Sequence, residues 1–104
     1  MDVWRFTGVS NPALLTASHI KPWVDCDNVE RLDKYNGLML TPTVDRLFDR
    51  GLITITDTGD VLSSSELADS DMHALGLHLP LNVAPLHGEQ CQYLDYHRTR
   101  VFRA

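Results

Sequence analysis

A chain of 104 residues has room for one modest core, and 43% hydrophobic with 22% charged residues is the composition of an ordinary soluble globular protein. No apolar run approaches the roughly eighteen residues of a membrane span. No basic segment followed by an apolar stretch opens the chain as a signal peptide would, so the cytoplasm is the expected location. The formal net charge of −5 speaks against a generic polyanion binder, yet all nine Lys and Arg lie at or before Arg50 or at or after Arg98. Seven acids and no Lys or Arg fall between Gly51 and His97, so a locally basic face remains open to the chain. Cys26 and Cys91 belong to no Cys-x-x-Cys pattern, which excludes a zinc knuckle and leaves two reduced thiols with packing roles.

In chain order, Ala13 to Ile20 reads as a first strand closed by Pro22. Lys21 to Tyr35, with four acids and three bases, reads as a long loop with room for a helical turn, and Gly37 to Leu40 as a second strand. The helix that follows has the clearest punctuation. Thr41 is placed to cap it, Pro42 occupies the first helical position, and Gly51 supplies the left-handed residue that ends it. Val44, Leu47 and Phe48 form its apolar stripe. Leu52 to Thr56 alternates as a strand, Asp57 to Asp60 turns, and Val61-Leu62 returns as its partner. A short helix capped by Ser65 is expected to run to about Leu75. Leu77 to Leu86 reads as irregular, and about Glu89 to Phe102 as helix. Trp23, after Pro22, is expected to pack under the loop rather than stack on a base.

Three blocks in this order are similar to the HNH endonuclease family: Ala17-Ser18-His19-Ile20-Lys21-Pro22-Trp23, Asn36-Gly37-Leu38-Met39-Leu40, and Asp45-Arg46-Leu47-Phe48-Asp49-Arg50-Gly51-Leu52-Ile53. They resemble a restriction-endonuclease-like branch in particular, whose C-terminal helix looks like Tyr96-His97-Arg98 with Val101-Phe102-Arg103. The resemblance runs from about Phe6 to Arg103. It implies an α+β chain built on the ββα-metal (His-Me finger) motif, with an added β-hairpin and C-terminal helices. One domain, 1–104, would carry the motif core at about 13–56 and accessory elements at about 57–104. The family's first His falls on His19, its Asn on Asn36 and its final His on Asp45, 17 and then 9 residues apart, with a further metal-binding position on Asp49.

The expected chemistry is metal-dependent hydrolysis of DNA phosphodiester bonds in restriction or defence. An imidazole titrates near neutral pH and suits the task of taking a proton from water, and His19 is the only histidine in the first 70 residues. Asp45 and Asp49 sit one helical turn apart and offer hard oxygen ligands, which favours Mg²⁺ or Mn²⁺ over Zn²⁺. The alternatives are a solvated charged helix, with Arg46 paired to Asp49, or an Asp that ties down loop backbone. Asn36 either fastens the long loop to the ribbon or meets the metal, against plain turn chemistry before Gly37. Lys21, Lys34, Arg46 and Arg50 are the candidate DNA contacts, against the reading that they are ordinary surface bases. His97 matches a family position, whereas His73, His78 and His87 have no metal-site spacing.

Two departures count against activity. Ser18 stands where many relatives carry a metal-ligating His or Asp, and Asp45 replaces the final His. A catalytically impaired nucleic-acid-binding or interaction module is therefore the competing reading, and a purely structural domain a third. A homodimer and an upstream recognition domain are the partner arrangements the resemblance leaves open. A chain that starts almost on top of the motif is what a trimmed piece of a longer protein would present.

Overall fold

The structure is a computed structural model that describes residues 11–104, so the start of the resemblance at Phe6 lies outside the described residues. Strand β1 (Thr16–His19) pairs antiparallel with β2 (Gly37–Leu40), with His19 opposite Gly37 and Thr16 opposite Leu40. The strand begins later than its apolar run suggests, because Pro12–Leu14 form a 3-10 turn capped by the Asn11 side chain. The long connection between the strands holds a 3-10 turn, Trp23–Asp25, and one short helix, α1 (Asn28–Leu32). Asp27 opens α1 with a reciprocal capping box: its carboxylate accepts from Glu30 N–H while Glu30 accepts from Asp27 N–H.

Helix α2 (Pro42–Asp49) packs on this ribbon through Val44, Leu47 and Phe48, all buried. Pro42 opens it as expected, but Thr41 contributes only its backbone carbonyl, bonded by Asp45 N–H; its hydroxyl makes no cap. With its first donor already removed by Pro42, the helix start is less dependent on a side-chain cap. Gly51 ends the helix at φ +73°, and it is irreplaceable for a second reason: a Cβ there would fall 2.1 Å from the Val101 carbonyl oxygen.

Strands β3 (Ile53–Ile55) and β4 (Val61–Ser63) form a second antiparallel pair. Alternation leads one to expect Thr54 at the surface, yet it is fully buried, because a C-terminal helical turn covers the strand's other face. Helix α3 (Asp69–Ala74) starts four residues after Ser65, and its N-cap is Ala68. The serine signal is spent earlier, where the Ser64 hydroxyl accepts from Glu66 N–H and builds a turn instead of a helix. Helix α4 (Gln90–Tyr96) runs into a wider π-helical turn, His97–Val101. Ile20, Leu40, Phe48, Ile53, Ile55 and Leu94 are among the buried side chains of the apolar core cluster formed by the described residues. Among the described residues no helix is long and apolar enough to cross a membrane.

Candidate active site

His19 is the last residue of β1, and the pleat turns it away from the core while its neighbour Ser18 points in, buried beside Leu38. The ring is exposed, and Nε2 lies 3.2 Å from the Arg31 carbonyl oxygen at the end of α1. A carbonyl can only accept, so this contact fixes the proton on Nε2 and leaves the Nδ1 lone pair free in the neutral ring. His19 lines an open cavity of about 350 Å³ between the outer face of the ribbon (Ala17, Gly37, Met39) and the loop (Arg31, Lys34).

Asn36 anchors the backbone next to that carbonyl. Its side chain is fully buried and accepts from Lys21 N–H at 2.8 Å, while its amide donates to the Glu30 carbonyl at 3.2 Å and to Cys26 Sγ at 3.3 Å. The start of the loop and its short helix are thereby tied to the residue that leads into β2. Glu30 is the immediate neighbour of Arg31, so the anchored carbonyl adjoins the one that orients His19. Of the roles open to Asn36 in the sequence, the contacts it makes are those of a loop fastener. Cys26 joins the same knot by donating to the Lys21 carbonyl at 3.4 Å.

The loop is braced from outside as well. Lys21 bonds Glu30 at 2.8 Å, which raises the lysine's pKa and lowers the carboxyl's, in each case chiefly through that hydrogen bond. The Lys21 ammonium also lies over the Tyr96 ring. Lys21 is therefore turned into the loop and does not stand free for a phosphate. Tyr93 and Tyr96 on α4 donate to Asp33 at 2.6 Å and Asp25 at 2.9 Å. The Tyr93 bond holds the Asp33 carboxyl below its ordinary range, while the bonds to the two carboxylates push both phenols up. Trp23 does not pack under the loop. It is 54% exposed, with the Arg31 guanidinium stacked 3.7 Å from its ring centre and Arg31 Nε donating to the Trp23 carbonyl.

Asp45 and Asp49 do not join His19 in its cavity. They lie on α2, Asp45 half-buried and Asp49 exposed, and neither side chain has a hydrogen bond or ion pair among the described residues, so the Arg46–Asp49 pair weighed as an alternative is not formed. No group of three or more His, Cys, Asp and Glu side chains capable of holding a metal occurs among the described residues. Two unpaired carboxylates fit the needs of an ion that keeps most of its waters, as Mg²⁺ does, but not of a closed zinc centre. Arg46 and Arg50 face a different cleft from that of His19.

His97 has a different character. It is 1% exposed, stacked on Phe48, donates Nε2–H to the Phe48 carbonyl at 2.7 Å and meets the Thr54 hydroxyl through Nδ1 at 2.7 Å. Burial pushes its pKa down to about 4. Both nitrogens are spent, and the ring is a structural member between α2 and β3.

A family model described as HNH endonuclease matches residues 5–56, half of the chain, and the chain belongs to that family. The match contains His19, Asn36, Asp45 and Asp49, and stops before the C-terminal block of the resemblance. The family is one of nucleases that generally use a divalent metal and act on DNA. No curated protein matches the sequence.

Sequence reasoning missed the Arg31 carbonyl, which as backbone leaves no mark in residue type. It also missed the Tyr93 and Tyr96 braces, whose only signal was two phenols on one helix near a loop rich in acids.

Proposed function

We propose that the chain is a metal-dependent endonuclease that hydrolyses DNA phosphodiester bonds, with His19 as general base. The observation that carries the reading is the contact of His19 Nε2 with the Arg31 carbonyl, which leaves Nδ1 without a bond among the described residues on a ring that lines an open cavity. A water beside Nδ1 gives up its proton there as its oxygen attacks phosphorus and the 3′ oxygen departs. Asn36 acts as a positioning residue through the Glu30 carbonyl. Asp45 and Asp49 would hold Mg²⁺ or Mn²⁺, which when bound neutralises charge on the phosphate. Lys34, in the lining of the His19 cavity, offers a cation to the same phosphate. The ordered sequence blocks support the restriction-like branch, a role against foreign DNA and one domain over 1–104, with target choice left to a homodimer or an upstream recognition domain.

Plasmid nicking in Mg²⁺ or Mn²⁺ tests the reading. Wild type is expected to nick and His19→Ala to fail; equal nicking by both removes His19 from the reaction. A second reading, a binding module without catalysis, is favoured by the buried neutral Ser18 and by the lack of a three-ligand cluster among the described residues. Salt-sensitive DNA binding with no nicking by wild type would select it.

A further inference from the structure

The C-terminal segment brings a third arginine to the pair on α2. Arg46 and Arg50 are one turn apart on the exposed side of the helix, and with Leu52 and Arg103 they line a cleft of about 320 Å³ that shares no residue with the His19 cavity. Arg103 is not there by chance of a loose tail, because its backbone N–H donates to the Gly51 carbonyl at 2.9 Å and so fixes it beside the end of α2.

The charges around this cleft do not balance. Arg46 and Arg50 have no acidic partner among the described residues, and Arg103 reaches only Glu66, at 3.6 Å with both side chains about half exposed. Such an exposed pair is weak and easily exchanged. Three guanidiniums cannot shed their protons, and like charges one helical turn apart repel. In a chain of net charge −5, whose other arginines include Arg31 stacked on Trp23 and Arg98 bonded to Asp57, this concentration is local. Planar forks around an open concavity match the oxygens of a phosphodiester, which they can grip in pairs.

We propose that Arg46, Arg50 and Arg103 form a phosphate-binding cleft that holds the DNA backbone at a point separate from the phosphate facing His19. The inference rests on the nuclease reading for its choice of polyanion. It adds Arg103 and assigns the three side chains to one site, giving the duplex two points of attachment.

The test is anisotropy of a labelled DNA duplex across a salt series, with every protein carrying His19→Ala so that nothing is cut. Arg46→Gln, Arg50→Gln and Arg103→Gln are combined, and Arg100→Gln, an exposed arginine outside the cleft, is the control for net charge. The triple variant should bind about tenfold or more weaker, with the log–log salt slope shallower by about 0.9 for each phosphate no longer neutralised. Arg103→Gln alone should show part of both effects, and Arg100→Gln should show little of either. Circular dichroism melts check that the variants fold. Equal slopes for triple variant and parent overturn the proposal and leave the cleft to an acidic partner; so does a parent with no salt-sensitive binding. If wild type never nicks DNA, yet the triple variant loses binding, the nuclease reading falls and the cleft stands.

Discussion

Two regions of this molecule each hold a histidine against a backbone carbonyl, and they use it in opposite ways. In the ribbon-and-loop half, His19 is bonded to the Arg31 carbonyl through one nitrogen only, and the exposed residue lines an open cavity. In the half built on β3 and the C-terminal turn, His97 is bonded to the Phe48 carbonyl, but its second nitrogen is taken by Thr54 and its face by Phe48. The first ring is oriented and left with one nitrogen unbonded among the described residues. The second is oriented and sealed. What separates the two rings is the fate of the second nitrogen.

The sharpest way to break this comparison is to remove each ring. His19→Ala should reduce cleavage by about 10²- to 10⁴-fold, as loss of a general base does, with an unfolding midpoint in urea close to wild type. A large stability loss with cleavage unchanged would reverse the two roles. His97→Ala should instead destabilise the fold by roughly 3 kcal/mol or more, since it opens a cavity and strands the Thr54 hydroxyl and the Phe48 carbonyl; urea unfolding measures it.

Acid should find the same difference. Because the folded pKa of His97 lies near 4, below its ordinary value of 6.5, the unfolded chain binds the extra proton across that interval. The His97 contribution to stability is therefore intact above about pH 6.5, falls as the pH drops, and is fully lost below about pH 4, a cost on the order of 3 kcal/mol. Unfolding measured from pH 7 to 4 should show this slope, and His97→Gln should flatten it. A smaller effect is expected at the loop. Asn36→Ala removes one buried fastener, at about 2 kcal/mol, and should slow cleavage by up to about a hundredfold by releasing the Glu30 carbonyl, the neighbour of the Arg31 carbonyl that meets His19. Unchanged cleavage with reduced stability would confine Asn36 to folding.

Much of the frame was legible because it rests on strong local signals. Pro42 and Gly51 bracket α2, its apolar stripe is the buried one, and the ribbon strands lie where the apolar runs are. The candidate site is legible in the sequence only as residue types: His19, Asn36 and the α2 carboxylates. Their assembly was not. Strand alternation and loop tethering decide which residues share the cavity of His19, whose lining does not include Asp45, and these depend on register, which residue identity does not encode. Serine hydroxyls near Ser65 could serve a turn or a helix cap with equal chemistry, and the turn won. Lys21 carried the charge of a phosphate contact but spends it on Glu30, nine positions along the chain.

The tyrosine bonds from α4 to Asp25 and Asp33 bear on how far this architecture is modular. The loop that aims His19 belongs to the family-matched stretch, but two of its braces come from well beyond position 56. A piece cut at that boundary would retain every candidate catalytic residue and lose the grip that keeps the loop still. The matched stretch thus holds the candidate residues without part of their mechanical support, and moving it to another scaffold would require carrying the tyrosine helix along with it.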